Sequence, residues 1–121
     1  MTIKKFFGTV KMSWTIDTAH RSYAARWSAD VPSTGQCAVT ALLVNDYFGG
    51  EIYTGLTQNR ERHFWNVVQG HEVDLTKAQL PDGVEFRNVQ RRDRASLLKV
   101  PDLKYRYLLL KERFESNLIA S

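Results

Sequence analysis

The sequence predicts an α+β domain in which a buried central helix packs on an antiparallel sheet. Three observations carry that prediction. Residues 37–48, CAVTALLVNDYF, are apolar nearly all round and run into Gly49-Gly50, the pattern of a helix enclosed on most sides and stopped by residues that tolerate a left-handed backbone. Residues 63–76, HFWNVVQGHEVDLT, consist of two runs rich in β-branched and aromatic residues around Gln69-Gly70, which reads as a hairpin. After Pro101, Leu103, Tyr107, Leu110 and Phe114 recur at helical spacing, so the chain closes with an amphipathic helix. A length of 121 residues, 43% of them hydrophobic, suits one domain spanning 1–121 with a core of its own.

The remaining elements follow in chain order. Ile3 to Val10, rich in Phe and Lys, reads as a short extended piece. Ile16, Ala19, Tyr23 and Trp27 then recur at spacings of three and four, which predicts a first helix, with Thr15 or Asp17 as its cap and Asp30 and Pro32 at its end. VPSTGQ is a loop leading to the central helix. GEIYTG is a strand and LTQNRER a polar connection. TKAQLPDG is a short helical turn and loop, and Glu85 to Val89 is a further strand.

The bulk properties narrow the function classes. No apolar run approaches the roughly 18 residues of a membrane span, and the N-terminal MTIKKFFGTVKMSW lacks the long apolar stretch and cleavage site of a secretion signal. A single cysteine excludes an internal disulfide and any all-cysteine metal site. A reducing cytoplasm is therefore the expected location, with a leaderless export route left open. The net charge of +4 is concentrated: nine basic residues against three acids lie between Arg87 and Arg113. That asymmetry would suit a polyanion; a nucleic acid is the weaker expectation, because no nucleic-acid motif accompanies the charge.

The one cysteine, Cys37, follows Gly35 and Gln36 at the mouth of the central helix. A helix N-terminus favours a thiolate through its dipole and its free backbone N–H groups, so the thiol reads as a nucleophile whose partners can be sought. If Gln69-Gly70 is a two-residue turn, Val68 faces His71 and Trp65 faces Asp74. His63, Trp65 and Asp74 then share one side of the hairpin, because strand side chains alternate. His63 and Asp74 become diagonal neighbours with backbones roughly 7–8 Å apart, within side-chain reach. A three-residue loop would instead send them to opposite faces. A carboxylate beside a histidine fixes its tautomer and stabilises its protonated form, and the histidine can move the thiol's proton to a leaving group. The Cys37 backbone N–H, and a side-chain N–H of Gln36, would serve as oxyanion donors.

Each residue has a plainer alternative. Cys37 could be a small buried hydrophobe, and Asp74 could cap the turn that opens DLTKAQ. His20 and His71 are the other histidines; the first lies among apolar neighbours and the second falls on the opposite hairpin face. Trp65 is a packing residue that could also shield the imidazole from water. Cys37, His63, His71 and Asp74 are chemically able to bind zinc, but no close ligand pair such as Cys-x-x-Cys is present, so neither a metal nor another cofactor is expected.

PSTGQCAVTALLVNDYFGGEIY followed by HFWNVVQGHEVDLT resembles the small uncharacterised bacterial proteins of the YunG type over roughly residues 14 to 80. More distantly, Cys37, His63-Phe64-Trp65 and Asp74 are similar to the pattern of transglutaminase-like and papain-like cysteine enzymes. There the catalytic thiol opens a helix packed on an antiparallel sheet, and the histidine and carboxylate lie on adjacent strands. The flanking papain signature is absent, and His63 follows Cys37 far sooner than in papain. The resemblance implies a minimal papain-like or transglutaminase-like domain and acyl transfer or hydrolysis through a thioester. The expected function is thus a cysteine-dependent acyl hydrolase or transferase acting on a protein, peptide or small amide. The alternative is a non-enzymatic module that binds a protein or polyanion through the basic C-terminal half.

Overall fold

In a computed structural model of the protein, described for residues 1–120, ten elements build one α+β unit. Helix α1 (Ile3–Ser13) is followed by a short 3₁₀ helix (Arg21–Arg26), then by α2 (Cys37–Phe48). Strands β1 (Glu51–Leu56), β2 (Arg62–Val68), β3 (His71–Val73) and β4 (Arg87–Arg92) follow, with a 3₁₀ turn (Lys77–Gln79) before the last. A single helical turn, α3 (Arg94–Leu97), leads into the long α4 (Pro101–Ala120). The four strands form one sheet in the order β3-β2-β1-β4, and every pairing is antiparallel.

Helix α2 is central, as its composition requires. Val39, Leu42 and Leu43 are fully buried, packed with Phe6 and Val10 of α1 and Leu110 and Phe114 of α4. On the sheet side, Ile52, Phe64 and Val68 join this core, and Asn66 Nδ2 donates to Ala41 O at 2.9 Å. Alternation along β2 sends His63 and Trp65 to the other side. There Trp65 stacks with Tyr53 and packs against Phe86, forming a second, smaller apolar layer. Gly49 and Gly50 end α2 with φ of 70° and 76°. A Cβ on Gly50 would stand 2.2 Å from Val67 O, so the chain can turn into β1 here only without a side chain.

The hairpin takes the register expected from its turn. Val68 pairs with His71, Val67 with Glu72 and Asn66 with Val73. Gln69 and Gly70 both have positive φ, at 51° and 80°, the two-residue turn whose twist matches that of the flanking strands.

Three local expectations are corrected. Ile3 to Val10 is helical, not extended: Ile3, Phe6, Phe7, Val10 and Trp14 follow the helical period, and Thr2 caps the start by accepting from Lys5 N at 3.0 Å. The aromatic content suggested a strand, but the period decides. The segment from Thr15 to Asp30 is a turn and a 3₁₀ helix rather than one α-helix. Local side-chain bonds displace the helical ladder there, with Thr15 N donating to Thr18 Oγ1 and Ser22 N to His20 Nδ1. The last strand begins at Arg87 rather than Glu85 and runs on to Arg92, while Phe86 turns back over the sheet. No described helix is long and apolar enough to cross a membrane.

Candidate functional site

The N-terminus of α2 is built by the loop before it. Gly35 takes φ of 74°, and a Cβ there would lie 3.0 Å from Tyr23 Cβ and 3.1 Å from His20 N. Glycine is therefore required both by backbone angle and by space. Its carbonyl accepts from His20 N at 2.9 Å, tying the loop to the 3₁₀ segment. The first bond of the α2 ladder runs from Thr40 N to Gln36 O, so the N–H groups of Cys37, Ala38 and Val39 precede any intrahelical acceptor. Cys37 is the first helical residue and is partly exposed.

His63 and Asp74 meet as the hairpin geometry predicts. His63 Nε2 lies 2.7 Å from Asp74 Oδ2, with the histidine side chain 2% and the aspartate 18% exposed. The other carboxylate oxygen, Oδ1, accepts from both Thr76 N and Thr76 Oγ1 at 3.3 Å. Asp74 thus hydrogen-bonds both the imidazole and the turn that follows it. The His63 ring is covered on one side by Phe86, at 5.6 Å and 10° between planes, and by Trp65, at 6.1 Å and 22°, whose own rings are in contact at 4.8 Å. Gly55, opposite His63 in β1, makes room for this cover. A Cβ there would stand 3.0 Å from Phe86 Cβ and 3.3 Å from the Trp65 ring.

The Cys37 side chain stands close enough to His63 to act on its titration. Burial pushes the imidazole pKa down, but the bond to Asp74 and the nearness of Cys37, together with their charges, outweigh it and raise it to about 9. Tyr23 stands close to the thiol as well. Burial first, then the hydrogen bond to Glu61 (2.7 Å), raises its pKa to about 12, and the Cys37 charge adds to the rise. Two cavities adjoin the group. One of about 340 Å³ is lined by His63, Arg26, Asn59 and Pro81, and one of about 360 Å³ by Cys37, Ala38, Phe64 and His20. Tyr23, Glu61, Arg62 and Gln79 line both.

The structure brings Cys37, His63 and Asp74 together, but it turns Gln36 inward. That side chain is fully buried, with Nε2 donating to Thr15 O and Oε1 accepting from Thr18 Oγ1, both at 2.8 Å. Gln36 knots the 15–18 turn to the start of α2 and is not presented as an oxyanion donor. Two residues at the site were not picked out from the sequence, Gln79 and Phe86. Gln79 joins the Cys37 loop to the histidine, accepting from Gly35 N at 2.9 Å while its Nε2 lies 3.1 Å from His63 Nδ1. Both residues sit in polar, turn-rich stretches with no periodicity, so no local signal marks them. Of the other histidines, His71 is exposed beside the hairpin turn. His20 lines the second cavity, its pKa lowered by burial and by the Arg106 charge.

The basic segment is partly consumed by the fold. Arg94 pairs with Asp46 and donates to Leu42 O, Arg106 is buried against Asp102 and Thr18 O, and Arg113 donates to Ser13 O.

Comparison with known proteins extends the resemblance along the chain. The profile described as "YunG protein" matches residues 2–119. The uncharacterised protein YunG of Bacillus subtilis (strain 168) is 30% identical over 99 residues, which cover 82% of this chain and 81% of that relative. No solved structure matches. The chain belongs to the YunG family.

Proposed function

We propose that this member of the YunG family is a cysteine-dependent acyl hydrolase or acyl transferase, arranged in the manner of papain-like enzymes around Cys37, His63 and Asp74. The observation that carries the reading is the position of His63, hydrogen-bonded to Asp74 through Nε2 and close to the thiol that opens α2. A nucleophile, a base within reach and a third group orienting that base form the working unit of nucleophilic catalysis.

In this reading His63 takes the Cys37 proton, and the thiolate attacks the carbonyl carbon of an amide or ester. The oxyanion accepts from the Cys37 N–H at the helix N-terminus. The carbon–nitrogen or carbon–oxygen bond breaks as His63 returns the proton to the leaving group, which leaves an acyl thioester on Cys37. Water or an amine, deprotonated by His63, then attacks the thioester and the thiol re-forms. Asp74 stays ionised and accepts from Nε2–H throughout. Phe86 and Trp65 keep water from the back of the ring, while the cavities beside Cys37 give the acyl and leaving groups room.

The test is the pH dependence of iodoacetamide alkylation of Cys37 in the wild type and in His63→Ala. Alkylation that persists well below the pH at which free cysteine titrates (~8.5), and moves to higher pH in the variant, is the expected result. An identical profile in both proteins would reject the reading.

A further inference from the structure

We infer that Gln79 is a positioning residue that holds the lone pair of His63 Nδ1 and thereby restrains proton transfer from Cys37. The inference rests on the Cys37–His63 reading above and adds a fourth side chain to it. Its basis is a two-ended bridge. Gly35 N–H, in the loop that delivers Cys37, reaches Gln79 Oε1 at 2.9 Å, and the amide nitrogen of the same side chain lies 3.1 Å from His63 Nδ1.

The chemistry of the two ends fixes the direction. A backbone N–H only donates, so the oxygen of the Gln79 amide must face Gly35 and its NH₂ must face the ring. An ionised Asp74 only accepts, so the proton of a neutral imidazole sits on Nε2. Nδ1 then carries the lone pair, and Gln79 donates to it. Cys37 needs that same lone pair to release its proton. One in-plane lone pair serves one good donor, so Gln79 and the thiol compete for it. When Nδ1 is protonated, its N–H meets the Gln79 NH₂ head on. Turning the amide round would strip Gly35 N–H of its acceptor, and Gly35 is buried with the space about it filled by Tyr23 and His20. Gln79 therefore favours the thiol with a neutral histidine, against the pull of Asp74 toward the ion pair. The other ionisable groups about the two cavities, His20, Tyr23, Arg26, Glu61, Arg62 and Arg106, carry both signs of charge and are unchanged in the variants that test this.

The test uses Gln79→Met, which keeps length and loses the amide, and Gln79→Glu, which can accept from Gly35 N–H and from a protonated Nδ1 alike. Imidazole ¹⁵N NMR of the full chain reads the His63 tautomer and titration, and iodoacetamide reads the thiol. In the wild type the neutral ring should carry its proton on Nε2. Both variants should titrate His63 at higher pH, by about one pH unit for Met and more for Glu, the size expected of one hydrogen bond. Alkylation at pH 7 should quicken about threefold or more in Gln79→Met. A wild-type ring protonated on Nδ1 would overturn the inference even if neither variant folds. So would His63 titrations that stay in place or fall in both variants. A thiol inert in every protein while the His63 titration still moves would reject the nucleophile and leave the Gln79 coupling standing.

Discussion

Helix α2 carries a cluster of polar side chains at each end, and the two are built for different ends. At its N-terminus stand Cys37, His63, Asp74 and Gln79. At its C-terminus Arg94 pairs with Asp46 and donates to Leu42 O, Asn45 Oδ1 and Tyr107 Oη, while Tyr107 donates in turn to Asp46. Both clusters are well hydrogen-bonded and largely removed from water. At the C-terminus, however, a permanent cation sits where the helix dipole favours one. Burial and then the bond to Asp46 raise the Tyr107 pKa to about 12. The N-terminal cluster sets a thiol near a titratable imidazole and opens onto two cavities. The number of hydrogen bonds does not distinguish the two clusters. What separates them is whether a proton can move and whether a ligand can arrive.

The sharpest way to break this comparison is to remove the chemistry. Cys37→Ala should abolish alkylation and any turnover, and His63→Ala should lower turnover of an activated ester by about 10²–10⁴-fold, the usual contribution of a general acid–base. If the N-terminal cluster only supports the fold, neither change should alter the turnover rate, while loss of the one thiol removes alkylation in either case.

The next contrast is in pH. The His63 pKa in the folded protein, about 9, lies above the unfolded value near 6.5. Its contribution to stability is therefore complete below about pH 6.5 and lost as pH rises through about 9. The span corresponds to at most about 3 kcal/mol, since Gln79 opposes protonation. Denaturant melts between pH 6 and 9.5 should show this decline in the wild type and in Tyr107→Phe, and a flatter profile in His63→Ala. A decline of equal size in His63→Ala would assign it to other groups.

Arg94→Ala addresses the other end. It leaves Asp46 and Tyr107 without their cation and should cost about 2 kcal/mol by chemical unfolding, as expected for bonds to a charged group. The alkylation rate of the folded protein should not change. If that rate collapses, the two ends of α2 are coupled and the comparison fails.

A last contrast is between two glycines. Gly35→Ala should cost about 1–2 kcal/mol for a side chain at φ of 74° and, in addition, the crowding of its Cβ against Tyr23 and His20. Because Gly35 delivers Cys37 and anchors Gln79, the alkylation profile should move with it. The same substitution at Gly83, whose φ is 73° but whose surroundings are open, should lower stability and leave the profile where it was.

The elements that were legible share one property: their signal lies within a few residues. Gln69-Gly70 set the hairpin register, and that register alone puts His63 beside Asp74. The largely apolar run and Gly49-Gly50 set the length of α2 and placed Cys37 at its mouth. The spacing after Pro101 identified α4. Where a short segment offered two signals, the wrong one could be chosen. Residues 3–10 hold aromatic and β-branched residues that suit a strand, but at a period that suits a helix.

The sequence by itself determined the α+β class, the helix that begins at the thiol and the pairing of histidine with aspartate, because turn geometry and side-chain period act locally. Only the tertiary structure decided which glutamine reaches the site. Gln36 adjoins Cys37 yet is turned into the core by Thr15 and Thr18, whereas Gln79, far along the chain, arrives between Gly35 and His63. A side chain's partner depends on which loops fold against one another. Those contacts are set by the packing of the whole core, and no spacing within a single element encodes them.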